Sequence, residues 1–296
     1  MTEKLTVTGN SAPERLDVFL SKKYSEYSRG YFQRLIKSGN VLLNGETAMP
    51  SRKLEPGDSV SVEFVEEKKD IEPENIALEI IYEDADLLIV NKSAGLVVHP
   101  ACGNQTGTLL NALFGRAGGK YTPLMVHRLD KGTSGIIVIA KNERAKKSLV
   151  KQFQKRAVKK TYLAAVKGAV IERKGYIEAP LGRAPNDRKK IVVGPMAKKD
   201  AITEFTVIRA AKEYSLLEVR PLTGRTHQIR SHLAYIGHPV LGDGTYGGPE
   251  TAGGYEFFRT MLHAYKITFM HPSKGRPVDF TAPLPKDMVK LFAGFM

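Results

Sequence analysis

His127-Arg-Leu-Asp130-Lys-Gly-Thr-Ser-Gly135 runs without interruption into Ile136-Ile-Val-Ile-Ala140. The second half is a short, continuous, β-branched apolar run, the pattern of a strand buried on both faces. The first half sets a carboxylate on a glycine-containing loop at the edge of that strand. Arg128 and Lys131 flank it, and neighbouring cations favour the ionised form. An ionised, positioned carboxylate is a competent nucleophile or base. On this segment alone, an Asp that caps a turn and salt-bridges its neighbour fits as well.

Further apolar runs lie on both sides of this strand: Leu87-Leu-Ile-Val90, Tyr162-Leu-Ala-Ala-Val166, Ala201 to Val207, Ser215 to Val219 and Tyr265 to Met270. Helical periodicity is clear in two places, Arg144 to Lys155 and Thr226 to Ile236, the latter stopping at Gly237. Strand runs outnumber helices and do not alternate with them. The expectation is an α+β fold with a mixed, largely antiparallel central sheet, not a doubly wound one.

Upstream, Phe64 to Asn75 is charged, poor in apolar residues and carries Pro73, the composition of a linker. Before it, Leu16, Phe19 and Leu20 fall at helical spacing. Ser28 to Lys37 reads as a second helix, with Phe32, Leu35 and Ile36 on one face, Ser28 as N-cap and Gly39 as stop. Val41-Leu-Leu43, the Asn44-Gly45 turn and the alternating Asp58 to Phe64 add short strands. The expected domains are residues 13–64, a linker over 65–79, and a large domain over 80–296.

The chain has 296 residues, 45 Lys plus Arg against 31 Asp plus Glu, and a net charge of +14. Residues 1–70 are balanced, whereas residues 127–200 hold 20 basic and 6 acidic side chains, an excess equal to that of the whole chain. Such a field attracts polyanions, nucleic acid first among them. The one cysteine, Cys102, excludes an internal disulfide framework and a Cys-only zinc site. No apolar run reaches the roughly 18 residues of a membrane span, and the N-terminus lacks a signal-peptide layout, so a cytoplasmic protein without a membrane partner is expected.

Three more segments bear on chemistry. In Leu222-Thr-Gly-Arg225-Thr-His-Gln-Ile-Arg230, Thr226 suits a helix cap. Arg225 then sits where a helix N-terminus favours anions, able to hold Asp130 or a phosphate. His227 and His232 are five apart, off the metal-binding spacing, and read as structural histidines; no metal is expected. Lys159-Lys-Thr-Tyr162 sets an aromatic among cations, suited to stacking on an extruded base or to ordinary core packing. Gly242-Asp-Gly-Thr-Tyr-Gly247 has dinucleotide-fingerprint spacing, but neither a full strand precedes it nor a helix follows, so it reads as a loop. No phosphate-binding loop for nucleotide hydrolysis is present.

RLDVFLSKKY, SRGYFQRLIKSGNVLLNG and KLEPGDSVSVEF together resemble the alpha-L RNA-binding motif shared with small-subunit ribosomal protein four. That resemblance implies that Arg15, Arg29, Arg34 and Lys37 face RNA phosphates. HRLDKGTSG, KKTYLA, PLTGRTHQIRSHL and HPVLGDGTYG resemble, in order, the RluA family of pseudouridine synthases. With the N-terminal module, the likeness is to its RluD-type, large-subunit ribosomal RNA members. This implies the pseudouridine synthase fold, no cofactor, and RNA as partner, with ribosomal RNA or an assembling large subunit as substrate. It further implies a cytoplasmic monomer. It makes Asp130 the nucleophile, Tyr162 the residue stacking on the target uracil and a candidate base, Arg225 the partner of the carboxylate, and Arg128 the side chain filling the flipped nucleotide's place. A non-catalytic ribosome-assembly protein and a transfer-RNA pseudouridine synthase are the alternatives.

Overall fold

The computed structural model describes residues 2–9, 13–65, 71–100, 103–187, 190–194, 197 and 199–293. Cys102, linker residues 66–70 and the basic residues Arg188, Lys189 and Lys198 lie outside the described residues. The chain divides into two compact units, Met1–Asp70 and Ile71–Met296.

In the first unit, helices Leu16–Lys23 and Arg29–Lys37 pack on an antiparallel sheet ordered Thr2–Thr6, Ser59–Glu63, Val41–Leu43, Glu46–Thr47. Ser28 caps the second helix as expected, accepting the Tyr31 N–H at 3.2 Å. Leu16, Leu20, Phe32, Leu35 and Ile36 close the core against Val41, Val60 and Val62. The domain start expected at residue 13 moves to the N-terminus, because Thr2–Thr6 pairs along the whole of Ser59–Glu63. As an edge strand with alternate positions exposed, it carries too little apolar signal to be read from sequence.

The second unit is built on a sheet ordered Lys174–Glu178, Ile202–Ala210, Tyr214–Pro221, Lys159–Lys167, Leu262–Met270, Ser134–Ala140, Leu87–Lys92, Glu79–Glu83. Along it, every pairing is antiparallel except that of Leu262–Met270 with Ser134–Ala140. The sheet is thus mixed and largely antiparallel, as the apolar runs implied. Those runs are continuous because both faces of the sheet are covered. Leu87, Ile89, Ile136 and Val138 pack under helix Glu143–Gln154, while Leu88, Val90, Ile137 and Ile139 pack under helix Leu109–Ala117.

Helix Leu109–Ala117 escapes sequence reading because Gly115 interrupts it. A Cβ there would meet the Glu74 carbonyl oxygen at 2.2 Å, so glycine admits a crossing backbone. The same crossing shortens the expected linker. Glu74 donates its N–H to the Asn111 carbonyl and accepts the Gly107 N–H on its side chain, so residues 71–79 belong to the second unit. Among the described residues no helix is long and apolar enough to cross a membrane.

Candidate active site

The parallel strand junction creates the site. Tyr162 pairs with Ala264, and Ala264 with Gly135, one row across three strands. Gly135 has φ 109°, and a Cβ there would lie 2.3 Å from the Ala264 carbonyl oxygen, so only glycine permits the close approach. At this end of the sheet three segments converge: the loop before Ser134–Ala140 with Asp130, the strand with Tyr162, and the turn after Tyr214–Pro221 that leads into helix Gln228–Tyr235. They line a cavity of about 490 Å³ that also includes Arg128, Lys160, Arg225, His227 and Arg230.

The Asp130 loop is braced from below. Lys92, fully buried, donates from Nζ to the carbonyls of Ser93 at 2.8 Å, Leu96 at 2.9 Å and Lys131 at 3.4 Å. Burial pulls its ammonium down to about 8, against the attraction of Asp130. His127, first residue of the motif, accepts the Val138 N–H on Nε2 at 2.8 Å and stacks on Phe153. Burial and the charge of Lys160 push its imidazole down to about 3, so it is a neutral strut.

Asp130 is 19% exposed at its side chain and opens into the cavity. Its Oδ2 accepts from Arg230 Nη1 at 3.1 Å, and its Oδ1 lies 3.8 Å from His227 Nε2. This corrects the expectation for Arg225, whose Nε donates to the Asp200 carbonyl at 3.0 Å. Arg225 lines the same cavity, but the guanidinium that meets Asp130 is Arg230.

The cause is the helix start. Helix Gln228–Tyr235 begins one residue later than a Thr226 cap implies, with His227 as its N-cap. Arg230 therefore lies in the first turn, facing inward and 8% exposed. It also binds Asp243 through Nε at 2.5 Å and Nη2 at 2.8 Å. Burial opposes its charge, but Asp243 and Asp130 outweigh that and raise its pKa further. Asp243 comes from the Gly242–Gly247 segment, which is a loop as expected. The loop entered the sequence reading through the motif HPVLGDGTYG, but with no role for its residues, so Arg230, Asp243 and Tyr246 are site residues that the sequence analysis does not name as such.

Tyr162 is half-buried on the cavity wall. Burial and then the charge of Asp130 raise its phenol, which keeps its proton. Lys160, two residues earlier, donates to the Thr223 carbonyl at 3.3 Å and is pulled down to about 8 by burial. Arg128 is exposed at the cavity rim. His232 is buried between Thr203 Oγ1 and the Ala179 carbonyl, a structural histidine as its spacing implied.

Among the described residues, Asp84, Asp86 and His271 alone group closely enough to ligate a metal, and they lie outside this cavity. Lys274 and Arg144 already neutralise the two carboxylates, making the group an ion-pair cluster.

In the first unit, Asp17 is fully buried and gathers two of the expected RNA contacts. Arg15 donates to it through Nε and Nη2 at 3.0 Å each, Arg29 does the same to Oδ2, and Gln33 adds a third partner. Burial alone would raise Asp17, but these bonds bring it down to about 2. Both guanidinia stay partly exposed. Arg34 and Lys37 are exposed on the second helix.

Residues 86–235 match the family model for RNA pseudouridylate synthase, and residues 14–60 match that for the S4 domain. An uncharacterized RNA pseudouridine synthase of Aquifex aeolicus is 44% identical, over 99% of this chain and 97% of that protein. Ribosomal large subunit pseudouridine synthase D of Neisseria meningitidis serogroup B is 41% identical, over 98% of this chain and 80% of that protein. Among solved structures, human RNA pseudouridylate synthase domain containing 1 superposes with a TM-score of 0.58 at 32% identity, covering 74% of this chain and 86% of that one.

Proposed function

The chain belongs to the RNA pseudouridylate synthase family, and from that premise we propose that it isomerises specific uridines of large-subunit ribosomal RNA with Asp130 as nucleophile. The observation that carries the reading is the placement of Asp130: a carboxylate opening into a cavity of about 490 Å³, held through one oxygen by a buried guanidinium and faced by an aromatic ring. Pseudouridine formation breaks C1′–N1, turns the uracil and joins C1′ to C5. Nothing is oxidised and no group is imported, so side chains and an enclosed pocket are sufficient for it.

The target uridine leaves its stack and enters the cavity, at a cost of a few kcal/mol. In this reading Arg128 at the rim fills the gap left behind, and Tyr162 on the cavity wall supports the extruded base. Asp130 then attacks the nucleotide while Arg230 holds the carboxylate in line, a pre-oriented pair that spares reorganisation in the reaction. Tyr162 holds its proton while Asp130 is charged. The S4 unit supplies affinity, with Arg15 and Arg29 splayed on Asp17 beside Arg34 and Lys37 as phosphate ligands. We further assign the protein to the cytoplasm as a monomer.

The test is pseudouridine mapping of large-subunit ribosomal RNA from cells lacking the gene, complemented with wild type or Asp130→Asn. Sites that vanish and return only with wild type support both substrate and nucleophile. No change at any site would move the substrate to transfer RNA, and restoration by the Asn variant would remove Asp130 from the mechanism.

A further inference from the structure

We propose that His227 is a positioning residue for the Asp130 carboxylate, locked in one tautomer by Tyr246; this rests on Asp130 being the reacting group. His227 stands where local structure favours other residues. It is the N-cap of helix Gln228–Tyr235, yet its side chain caps nothing, and its φ of 51° lies in the left-handed region. Ser, Thr, Asp or Asn would cap the helix, and Asn or Gly would relieve the backbone. Strain of this kind persists where the surroundings over-determine a conformation.

Here the conformation aims the ring into the cavity. Nε2 sits 3.8 Å from Asp130 Oδ1, the oxygen that Arg230 leaves free. A closure of about 1 Å makes this a hydrogen bond, and such contacts commonly tighten only when substrate is bound.

Tyr246 decides which proton faces the carboxylate. Its hydroxyl accepts the Ile191 N–H at 3.0 Å, and among the described residues the acceptor left for its own proton is His227 Nδ1, also at 3.0 Å. With Nδ1 accepting, the neutral imidazole carries its hydrogen on Nε2, toward Asp130. Burial lowers the imidazole pKa and favours this neutral form. Tyr246 is itself buried, with the Arg230 guanidinium 5.1 Å from its ring centre. The two oxygens of Asp130 thereby meet different donors, a charged one at Oδ2 and a neutral one at Oδ1.

Gln and Asn separate this role from simple packing. The amide of Gln reproduces a donor near Nε2, whereas that of Asn reaches only the place of Nδ1. Asn also tolerates positive φ, so His227→Asn should melt no lower than wild type and its loss of activity cannot be laid to unfolding.

The assay is pseudouridine formation by the full-length protein on a ribosomal RNA fragment, with kcat and KM measured separately and Tm recorded for each variant. His227→Asn and Tyr246→Phe are expected to lose about 10- to 100-fold in kcat with KM within about twofold, and His227→Gln to recover at least about tenfold over Asn. Equal kcat for Gln and Asn, or losses confined to KM, would overturn the proposal. Asp130→Asn, run alongside, separates the two readings: turnover by that variant removes the nucleophile assignment itself.

Discussion

Replacing Arg230 with Lys keeps a positive charge at the site and removes the fork. In the native protein the guanidinium makes three charge-assisted bonds, two to Asp243 at 2.5 and 2.8 Å and one to Asp130 at 3.1 Å. A lysine ammonium is a point donor that cannot span both carboxylates. It will remain with Asp243, whose side chain is 1% exposed against 19% for Asp130, because the more buried charge loses more by being left alone. The bond surrendered is therefore the one to Asp130. Hydrogen bonds to charged groups are worth about 1.5–3 kcal/mol, which corresponds to about 10- to 150-fold in kcat. Losing one of the two bonds to Asp243 lowers stability by a similar amount, about 3–12 °C in Tm for a domain of this size.

The control is Arg225→Met, which removes a bond to the Asp200 carbonyl and leaves Asp130 untouched. Its kcat should fall by less than about threefold, with any loss of RNA binding appearing in KM. The assay is single-turnover pseudouridine formation in RNA at saturating and subsaturating concentrations, with Tm by circular dichroism. An Arg225→Met enzyme as slow as Arg230→Lys, or an Arg230→Lys enzyme at wild-type speed, refutes the assignment of the carboxylate's partner.

Three other perturbations follow from the same geometry. Asp17 is held at about 2, below its ordinary 3.8, so its stabilisation is complete above about pH 4 and is lost as pH falls toward 2. Asp17→Ala should lower stability at neutral pH by removing the buried anion that two half-exposed guanidinia share, and should flatten the acid-unfolding profile monitored by circular dichroism. Lys160 is a cation below about pH 8 and neutral above it, so RNA affinity measured by filter binding should weaken as pH rises from 7 to 9. Lys160→Met should bind more weakly at pH 7 and lose that slope; an unchanged slope assigns it elsewhere. Gly135→Ala forces a Cβ against the Ala264 carbonyl and strains a φ of 109°, so it should unfold by several kcal/mol or part the two parallel strands, seen as faster amide exchange in Leu262–Met270.

Much of this protein was legible in its sequence because the signals are local. Leu87–Val90 and Ile136–Ala140 announce strands covered on both faces, since each alternate residue needs an apolar neighbour on its own side. Ser28 marks a helix start, because a cap acts within three residues. The segment around Asp130 sets a carboxylate on the loop before a buried strand, where the structure has it lining the cavity, and the excess of cations over residues 127–200 points to a polyanion.

The partner of Asp130 was not legible. Arg225 and Arg230 lie in the same motif, and choosing between them depends on where the helix begins. His227 sets that start by adopting a left-handed conformation that no rule of capping favours, held there by Tyr246 from the loop of the HPVLGDGTYG motif. Asp243, from the same loop, then fixes Arg230 from the side away from Asp130. Asp130 and Arg230 are 100 positions apart, and Arg230 and Asp243 are 13 apart. Local periodicity and capping carry no information over such spans. Which guanidinium meets the carboxylate, and which proton faces it, was decided only when the parallel strand junction closed and brought three distant segments to one end of the sheet.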